Sequence, residues 1–243
     1  MELIVDAGRL IAIGDVHGCV HALDAILAAI APMPADQIVF LGDLIDQGRD
    51  SRDVIDRLIE LRKWCRVIVI QGNHEEMMLA ARHNKEAQRY WEICGGYATL
   101  NSYRYGAQIK EVPEAHLAFL SECLPYYETD DFIFTHANYL PDDPMASQPE
   151  HQLRWALFEP AEMRPHISGK KVFVGHTEQA NSEVLDLGFV ACIDTACWRH
   201  GWLTAIDCRT GHLWQTSRWG MLREQHEPTH RGRLRQIIAT VET

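Results

Sequence analysis

The sequence predicts an α/β protein in which a parallel sheet is followed by a second, mixed or antiparallel sheet. Three observations predict it. The runs "RLIAIGD" (9–15), "QIVFLGD" (37–43) and "RVIVIQGN" (66–73) are short, apolar and β-prone, and each ends at a glycine followed by Asp or Asn. The segments between them carry apolar residues at helical spacing. Closely spaced strand-like runs then follow late in the chain: "KKVFVGHT" (170–177), "FVACIDT" (189–195), "GWLTAID" (201–207) and "HLWQTS" (212–217).

In chain order, "CVHALDAILAAI" sets Val20, Leu23, Ile26, Leu27 and Ile30 on one helix face. "SRDVIDRLIELRKW" (51–64) does the same with Val54, Ile55, Leu58, Ile59 and Leu61, and Asp50 or Ser51 serves as N-cap. The β-α-β-α-β order demands right-handed crossovers and gathers the strand ends at one edge, where open α/β sheets bind ligands. Residues 75–90 read as one further helix, with Met77, Met78 and Leu79 in the core. The Gly- and Tyr-rich "CGGYATLNSYRYGAQI" (94–109) reads as part of a cap-like insertion near 84–125, with a short helix near 114–124. "YETDDFIFTHAN" returns to strand character, and "PDDPMASQPEH" is a polar loop. Residues 1–220 are expected to form one domain, and 221–243 a polar C-terminal tail.

The bulk composition narrows the function. At 47% hydrophobic and 23% charged, the 243 residues suit a globular protein. A formal charge of −11 argues against non-specific binding to a nucleic-acid polymer or an anionic membrane, although metal ions would reverse the local charge for a phosphate ester. No apolar run approaches the ~20 residues of a membrane span. Seven cysteines without a C-x-x-C pair read as reduced, buried thiols, and the N-terminus has no secretory pattern. A cytoplasmic location is expected; the oligomeric state is not legible.

Five strand-end segments carry the chemistry: "GDVHG" (14–18), "GDLIDQG" (42–48), "GNHE" (72–75), "FTHAN" (134–138) and "VGHT" (174–177). Asp15, His17, Asp43, Asn73, His136 and His176 follow apolar runs, so their side chains would project from one sheet edge. Taken singly, a Gly-Asp is more often a turn and a strand-end His more often a hydrogen-bonded imidazole; five in succession are not explained that way. Mixed carboxylate, imidazole and amide donors suit Mn²⁺, Fe or Zn²⁺ better than Ca²⁺. Two neighbouring ions would share an oxygen ligand, for which Asp43 is placed. "HEEMM" fails the zinc-protease pattern H-E-x-x-H, because residue 78 is Met.

The order and spacing of these segments resemble the calcineurin-like metallophosphoesterases, especially bacterial members of the phosphoprotein phosphatase group. The likeness runs from about residue 9 to 217 and includes "FVACIDTACWRHGWLTAIDCRTG". It implies a two-sheet β-sandwich flanked by helices, the four-layer αββα arrangement, with a two-metal centre at the strand ends. Asp15 and His17 would hold one ion, Asn73, His136 and His176 the other, and Asp43 would bridge; manganese is the expected metal. His74 would protonate the leaving oxygen and Asp46 would orient it. Glu75 would support His74, or serve as a helix-start acid.

The chain departs from the family pattern at its phosphate clamp. "G-D-x-V-D-R-G" becomes "GDLIDQG", with Gln47 in place of arginine, and Glu76-Met77 replaces the arginine after "G-N-H-E". Arg49 and Arg154 are the candidate replacements. Asn138 of "HAN" puts an amide where relatives have glycine, and Cys197, Trp198, Arg199 and His200 stand where the mouth is normally lined by small residues. The resemblance implies a phosphomonoesterase acting on a phosphorylated protein (Ser/Thr or Tyr) or a small phosphoester. The alternatives are a dinucleoside polyphosphate hydrolase, with Tyr97, Tyr103 and Tyr105 stacking a base, and a non-catalytic binding scaffold.

Overall fold

Strand alternation decides how the layers stack in the computed structural model, which describes residues 8–223. In β1 (Leu10–Ile13), Leu10 and Ala12 join one apolar cluster while Ile11 and Ile13 join another, as a period of two requires. The first cluster lies between two sheets. It combines Val39, Leu41, Ile68 and Ile70 with Phe134, Phe173, Ala191 and Ile193, and the Phe134 and Phe173 rings stack at 5.6 Å. The second cluster seats α1 (Val20–Ile30) and α2 (Ser51–Leu61) on the outer face of the first sheet. A third covers the outer face of the second sheet with Tyr139, Met145, Leu153 and Phe158. Two mixed sheets flanked by helices result.

In the first sheet, β1 pairs in parallel with β2 (Gln37–Phe40), which pairs in parallel with β3 (Arg66–Val69). The second sheet runs β4 (Tyr126–Glu128), β5 (Phe132–Thr135), β6 (Lys171–Val174), β8 (Val190–Cys192) and β7 (Leu185–Asp186), and its central pairs are parallel. The late strands do not stay together as expected. β9 (Trp202–Asp207) and β10 (Leu213–Ser217) turn back to the first sheet, where β9 pairs antiparallel with β1. The alternation explains the choice. Leu203 and Ala205 supply the helix-facing cluster and Ile206 the inter-sheet cluster, matching the two faces of the open β1 edge.

The helix expected over 75–90 is two helices, α3 (Asn73–Ala81) and α4 (Lys85–Trp91). Asn84 makes the break: its Oδ1 accepts the N–H groups of Glu86 (2.8 Å) and Ala87 (3.3 Å), starting a new helix instead of extending the old one. Beyond Gly95 (φ 125°), α5 (Tyr97–Tyr103) lies along α2, and α6 (Glu114–Ser121) packs against α2 and α3. A short α7 (Glu150–Arg154) lies beyond the polar loop. No helix among the described residues is long and apolar enough to cross a membrane. Of the polar tail expected over 221–243, residues 224–243 lie outside the described residues.

Candidate metal centre

The loops leaving β1, β2, β3, β5 and β6 converge at one end of the sandwich. The first two are knitted by their backbones: the N–H groups of Val16 (3.1 Å) and His17 (2.8 Å) both donate to the Asp43 carbonyl, and that of Gly48 donates to the His17 carbonyl. Holding the side chains inward takes unusual backbone. His17, Asp43, Asp46, Gln47 and His176 all have positive φ, between 44° and 71°, a conformation costing on the order of 1–3 kcal/mol per residue. Two glycines make room for carboxylates, because a Cβ on Gly72 would overlap Asp43 Oδ1 and one on Gly175 would overlap Asp15 Oδ1.

Two trios bring N and O donor atoms within 4.8 Å of one another: His17, Asp43 and His74, and Asp43, His136 and His176. Asp43 belongs to both. Its oxygens lie 3.5 Å from His17 Nε2 and 3.4 Å from His136 Nε2. Backbone carbonyls fix the imidazoles. Ile45 O lies 2.9 Å from His17 Nδ1, and Leu41 O lies 2.7 Å from His136 Nδ1. A carbonyl only accepts, so both rings carry the proton at Nδ1 and present the Nε2 lone pair inward. His176 is reversed, with Nε2 at 3.3 Å from Trp155 O and Nδ1 facing the cluster. The Asn73 side-chain amide points into the cluster, where with its nitrogen inward it donates to His136 Nε2, His176 Nδ1 and both Asp43 oxygens at 3.1–3.3 Å. Asp15 is in neither trio; its carboxylate accepts the His176 backbone N–H at 3.1 Å.

Burial without compensation shows in the proton affinities. Asp43 is raised to about 6 by burial, against the opposing pull of His74. Asp15 is pushed well above the carboxylate range by burial, then by Asp194 and Asp43. Burial and the neighbouring His74 lower His17 to about 3, while burial and His176 depress His136 well below the usual imidazole range. Imidazole lone pairs converging on a carboxylate that belongs to both trios are the donor set of divalent cations, which favour charged carboxylate and neutral imidazole. The residues fit two such ions with Asp43 between them.

His74 is set apart by its partners. Its Nδ1 lies 2.7 Å from Asp46 Oδ2, and its Nε2 turns toward the cluster, 3.9 Å from Asp43 Oδ2. Burial opposes its protonation, but Asp43 and the Asp46 hydrogen bond outweigh burial and raise it to about 9. Asp46 is itself clamped. The Trp91 indole N–H donates to Oδ2 (2.8 Å), the Thr99 hydroxyl donates to Oδ1 (2.6 Å), and the Asp46 N–H donates to the hydroxyls of Thr99 and Ser51.

Comparisons with known proteins agree with this geometry. The calcineurin-like phosphoesterase family model matches residues 8–179. The chain belongs to the calcineurin-like phosphoesterase family. Serine/threonine-protein phosphatase 1 of Salmonella typhimurium is 30% identical over 202 residues, which is 79% of this chain and 88% of the relative. A symmetrical bis(5'-nucleosyl)-tetraphosphatase of Pseudomonas putida is 34% identical over 76 residues, covering 31% of this chain and 26% of that protein. Among solved structures, a candidate diadenosine tetraphosphatase has a TM-score of 0.68 at 20% identity, covering 88% of this chain and 95% of that one. A protein serine/threonine phosphatase from Saccharomyces cerevisiae has a TM-score of 0.62 at 14% identity, covering 92% and 82%. The structural likeness shows the fold, and the family makes this phosphoesterase a metal-dependent phosphoric ester hydrolase.

Around this phosphoesterase centre, several side chains act where sequence reasoning did not look. Trp91 and Thr99 carry no motif that announces them. Glu75 supports the loop bearing Asp43 and not the His74 ring: its oxygens accept the N–H groups of Asp43 (2.9 Å), Leu44 (2.8 Å) and Gly72 (2.9 Å). Gln47, at the missing-arginine position, turns away and donates to the Cys94 carbonyl. Arg154 is buried, 3.2 Å from both Glu76 and Glu150, and its Nε has no partner. Arg49 is exposed and lines a cavity of about 220 Å³ with Trp198 and Arg218. Asn138 spends its amide on backbone, donating to Leu157 O and accepting the Tyr139 N–H, both at 2.7 Å. Tyr103 meets His116 Nδ1 at 2.9 Å, whereas Tyr97 and Tyr105 are exposed.

Proposed function

We propose that this phosphoesterase is a protein phosphatase that removes phosphate from serine, threonine or tyrosine side chains. The observation that carries the mechanism is the His74–Asp46 pair beside the Asp43 cluster. Asp15 and His17 would hold one divalent ion, Asn73, His136 and His176 the other, with Asp43 shared; manganese is the first candidate, iron and zinc the others. When bound, such ions neutralise phosphoryl oxygens and activate water for in-line attack. They supply no proton to a departing alkoxide. His74 does, from Nε2, while Asp46 holds the ring by Nδ1 and stabilises the imidazolium. Arg154, its guanidinium paired with Glu76 and Glu150, is the candidate contact for a phosphoryl oxygen, and Asn138 braces the adjoining loop. Arg49, exposed on the loop after β2, is the other candidate.

The protein-phosphatase reading is favoured because the Salmonella relative is matched over 88% of its length, whereas the tetraphosphatase match covers 26% of its partner. Seven unpaired cysteines support a reducing, cytoplasmic setting. The test is a panel of phosphopeptides, mononucleotides and dinucleoside polyphosphates assayed with Mn²⁺. Phosphopeptides are expected to give the highest kcat/KM; faster cleavage of diadenosine tetraphosphate would replace this reading with the dinucleoside hydrolase. No turnover of any phosphoester would leave a binding scaffold.

A further inference from the structure

The surface beside the metal centre carries two guanidiniums, one of which, that of Arg218, the proposed chemistry does not use. Arg49, on the loop after β2, and Arg218, directly after β10, line one cavity of about 220 Å³ with Trp198 and Trp219. Most arginines among the described residues are ion-paired, as Arg9 is to Asp36, Arg57 to Asp24 and Arg223 to Glu183. Among the described residues neither Arg49 nor Arg218 pairs with a carboxylate; Arg218 instead donates to the Trp198 carbonyl (2.9 Å) and lies over the Trp219 ring at 4.6 Å. Asp50 is the one carboxylate of the lining, so the cavity has a surplus of positive charge. Trp219 is 68% exposed, a large apolar ring held open by the guanidinium stacked on it.

The cavity adjoins the metal centre through Trp198, whose ring centre is 6.3 Å from that of His17. The indole is itself fixed, donating from Nε1 to Glu178 (2.7 Å) and carrying Arg199 on its face at 4.6 Å. Trp198 thus links His17 to the cavity that Arg49 and Arg218 line.

We infer that this cavity is a substrate subsite for a second anion, carried on the same peptide as the scissile phosphate. The inference rests on the protein-phosphatase reading above. An anion beyond the indole would sit on the order of 10 Å from the metals, two or three residues away along an extended peptide at ~3.3 Å per residue. The occupant follows from the protein-phosphatase reading and not from spacing alone: an acidic or doubly phosphorylated peptide. Guanidiniums meet carboxylate and phosphate through paired N–H donors, and the exposed Trp219 face suits an apolar side chain between the two anions.

The test is kcat/KM for phosphoserine peptides that are neutral elsewhere, carry one Glu at successive positions, or carry a second phosphate, with p-nitrophenyl phosphate alongside. Glu or phosphate two or three residues from the scissile group is expected to raise kcat/KM roughly five- to tenfold, mainly through KM and less at high salt. Arg218→Gln is expected to abolish that preference and Arg218→Lys to keep part of it. Equal rates for neutral and acidic peptides, or a preference that survives Arg218→Gln, overturn the subsite. Should no phosphopeptide be hydrolysed, the protein-phosphatase reading fails separately. The subsite is then judged by inhibition of p-nitrophenyl phosphate hydrolysis by the doubly phosphorylated peptide. A Ki weakened about fivefold in Arg218→Gln supports it, and an unchanged Ki overturns it.

Discussion

His74 Nδ1 lies 2.7 Å from Asp46 Oδ2, so one edge of the imidazole beside Asn73 is held by a carboxylate while Nε2 faces the Asp43 cluster at 3.9 Å. Whether His74 acts as the proposed proton donor and not as a metal ligand can be measured. His74→Asn is expected to retain both metals while turnover of an alkyl phosphate falls by roughly 10²–10⁴. An aryl phosphate with an acidic phenol needs no proton and should lose much less. Metal content by elemental analysis and the two rates, measured together, decide it; a lost metal or an equal loss on both substrates would remove His74 from this role.

Asp46 depends on two distant side chains, and these give a subtler test. Trp91→Phe keeps the buried ring but deletes the 2.8 Å donor to Asp46. Alkyl phosphate turnover should drop about three- to tenfold, in line with the ~0.5–1.5 kcal/mol of an ordinary hydrogen bond felt indirectly at His74, with aryl phosphate turnover nearly unchanged. Thr99→Val should behave alike, and the double variant should be worse than either.

Removing the shared carboxylate has a different signature. Asp43→Asn should depress both substrates together and loosen the metals. EDTA should abolish hydrolysis by the parent protein, and Mn²⁺ should restore it. Activity that survives chelation and dialysis would contradict the two-metal reading.

Glu75 braces the metal loops through three backbone N–H groups. Glutamine offers one acceptor oxygen in place of two, stranding at least one buried N–H at a cost of about 1–3 kcal/mol. Glu75→Gln should therefore lower Tm by roughly 2–10 °C for a chain of this size, read by calorimetry with the metals removed.

The raised proton affinity of His74 makes stability depend on pH. Burial alone would lower it, but Asp43 and Asp46 raise it from 6.5 to about 9, so the folded state holds this proton more tightly than the unfolded chain. The resulting stabilisation is complete below about pH 6.5 and lost as pH rises through 9. In metal-free protein, the Tm advantage of the parent over His74→Asn should shrink between pH 6 and 10; a constant gap would contradict it.

The strand-end motifs were legible because each needs a local pattern only: an apolar run and then a donor, in most of them with a glycine to make room. Asp43 and His136 announced themselves in that way, 93 residues apart by number. What the sequence hid was pairing at a distance. Trp91 and Thr99 lie 45 and 53 residues from Asp46, in helices whose local pattern says only that they are helical. The return of β9 and β10 to the first sheet was equally invisible, since β9 has faces that fit either sheet until the free edge of β1 is known. Gln47 was noticed as a missing arginine, but its bond to the Cys94 carbonyl required seeing Gly95 pressed against it.

The clamp on Asp46 also limits how this enzyme can be rebuilt. Residues 84–125 look like an exchangeable module, the natural place to graft a relative's surface and with it a new specificity. Yet that segment brings the indole and the hydroxyl that hold Asp46, the partner of the proposed proton donor. A chimera that imports a foreign segment without a matching Trp and Thr would change its substrate and weaken its leaving-group chemistry in one step. Successful grafts should be those whose junctions leave Trp91 and Thr99 in place.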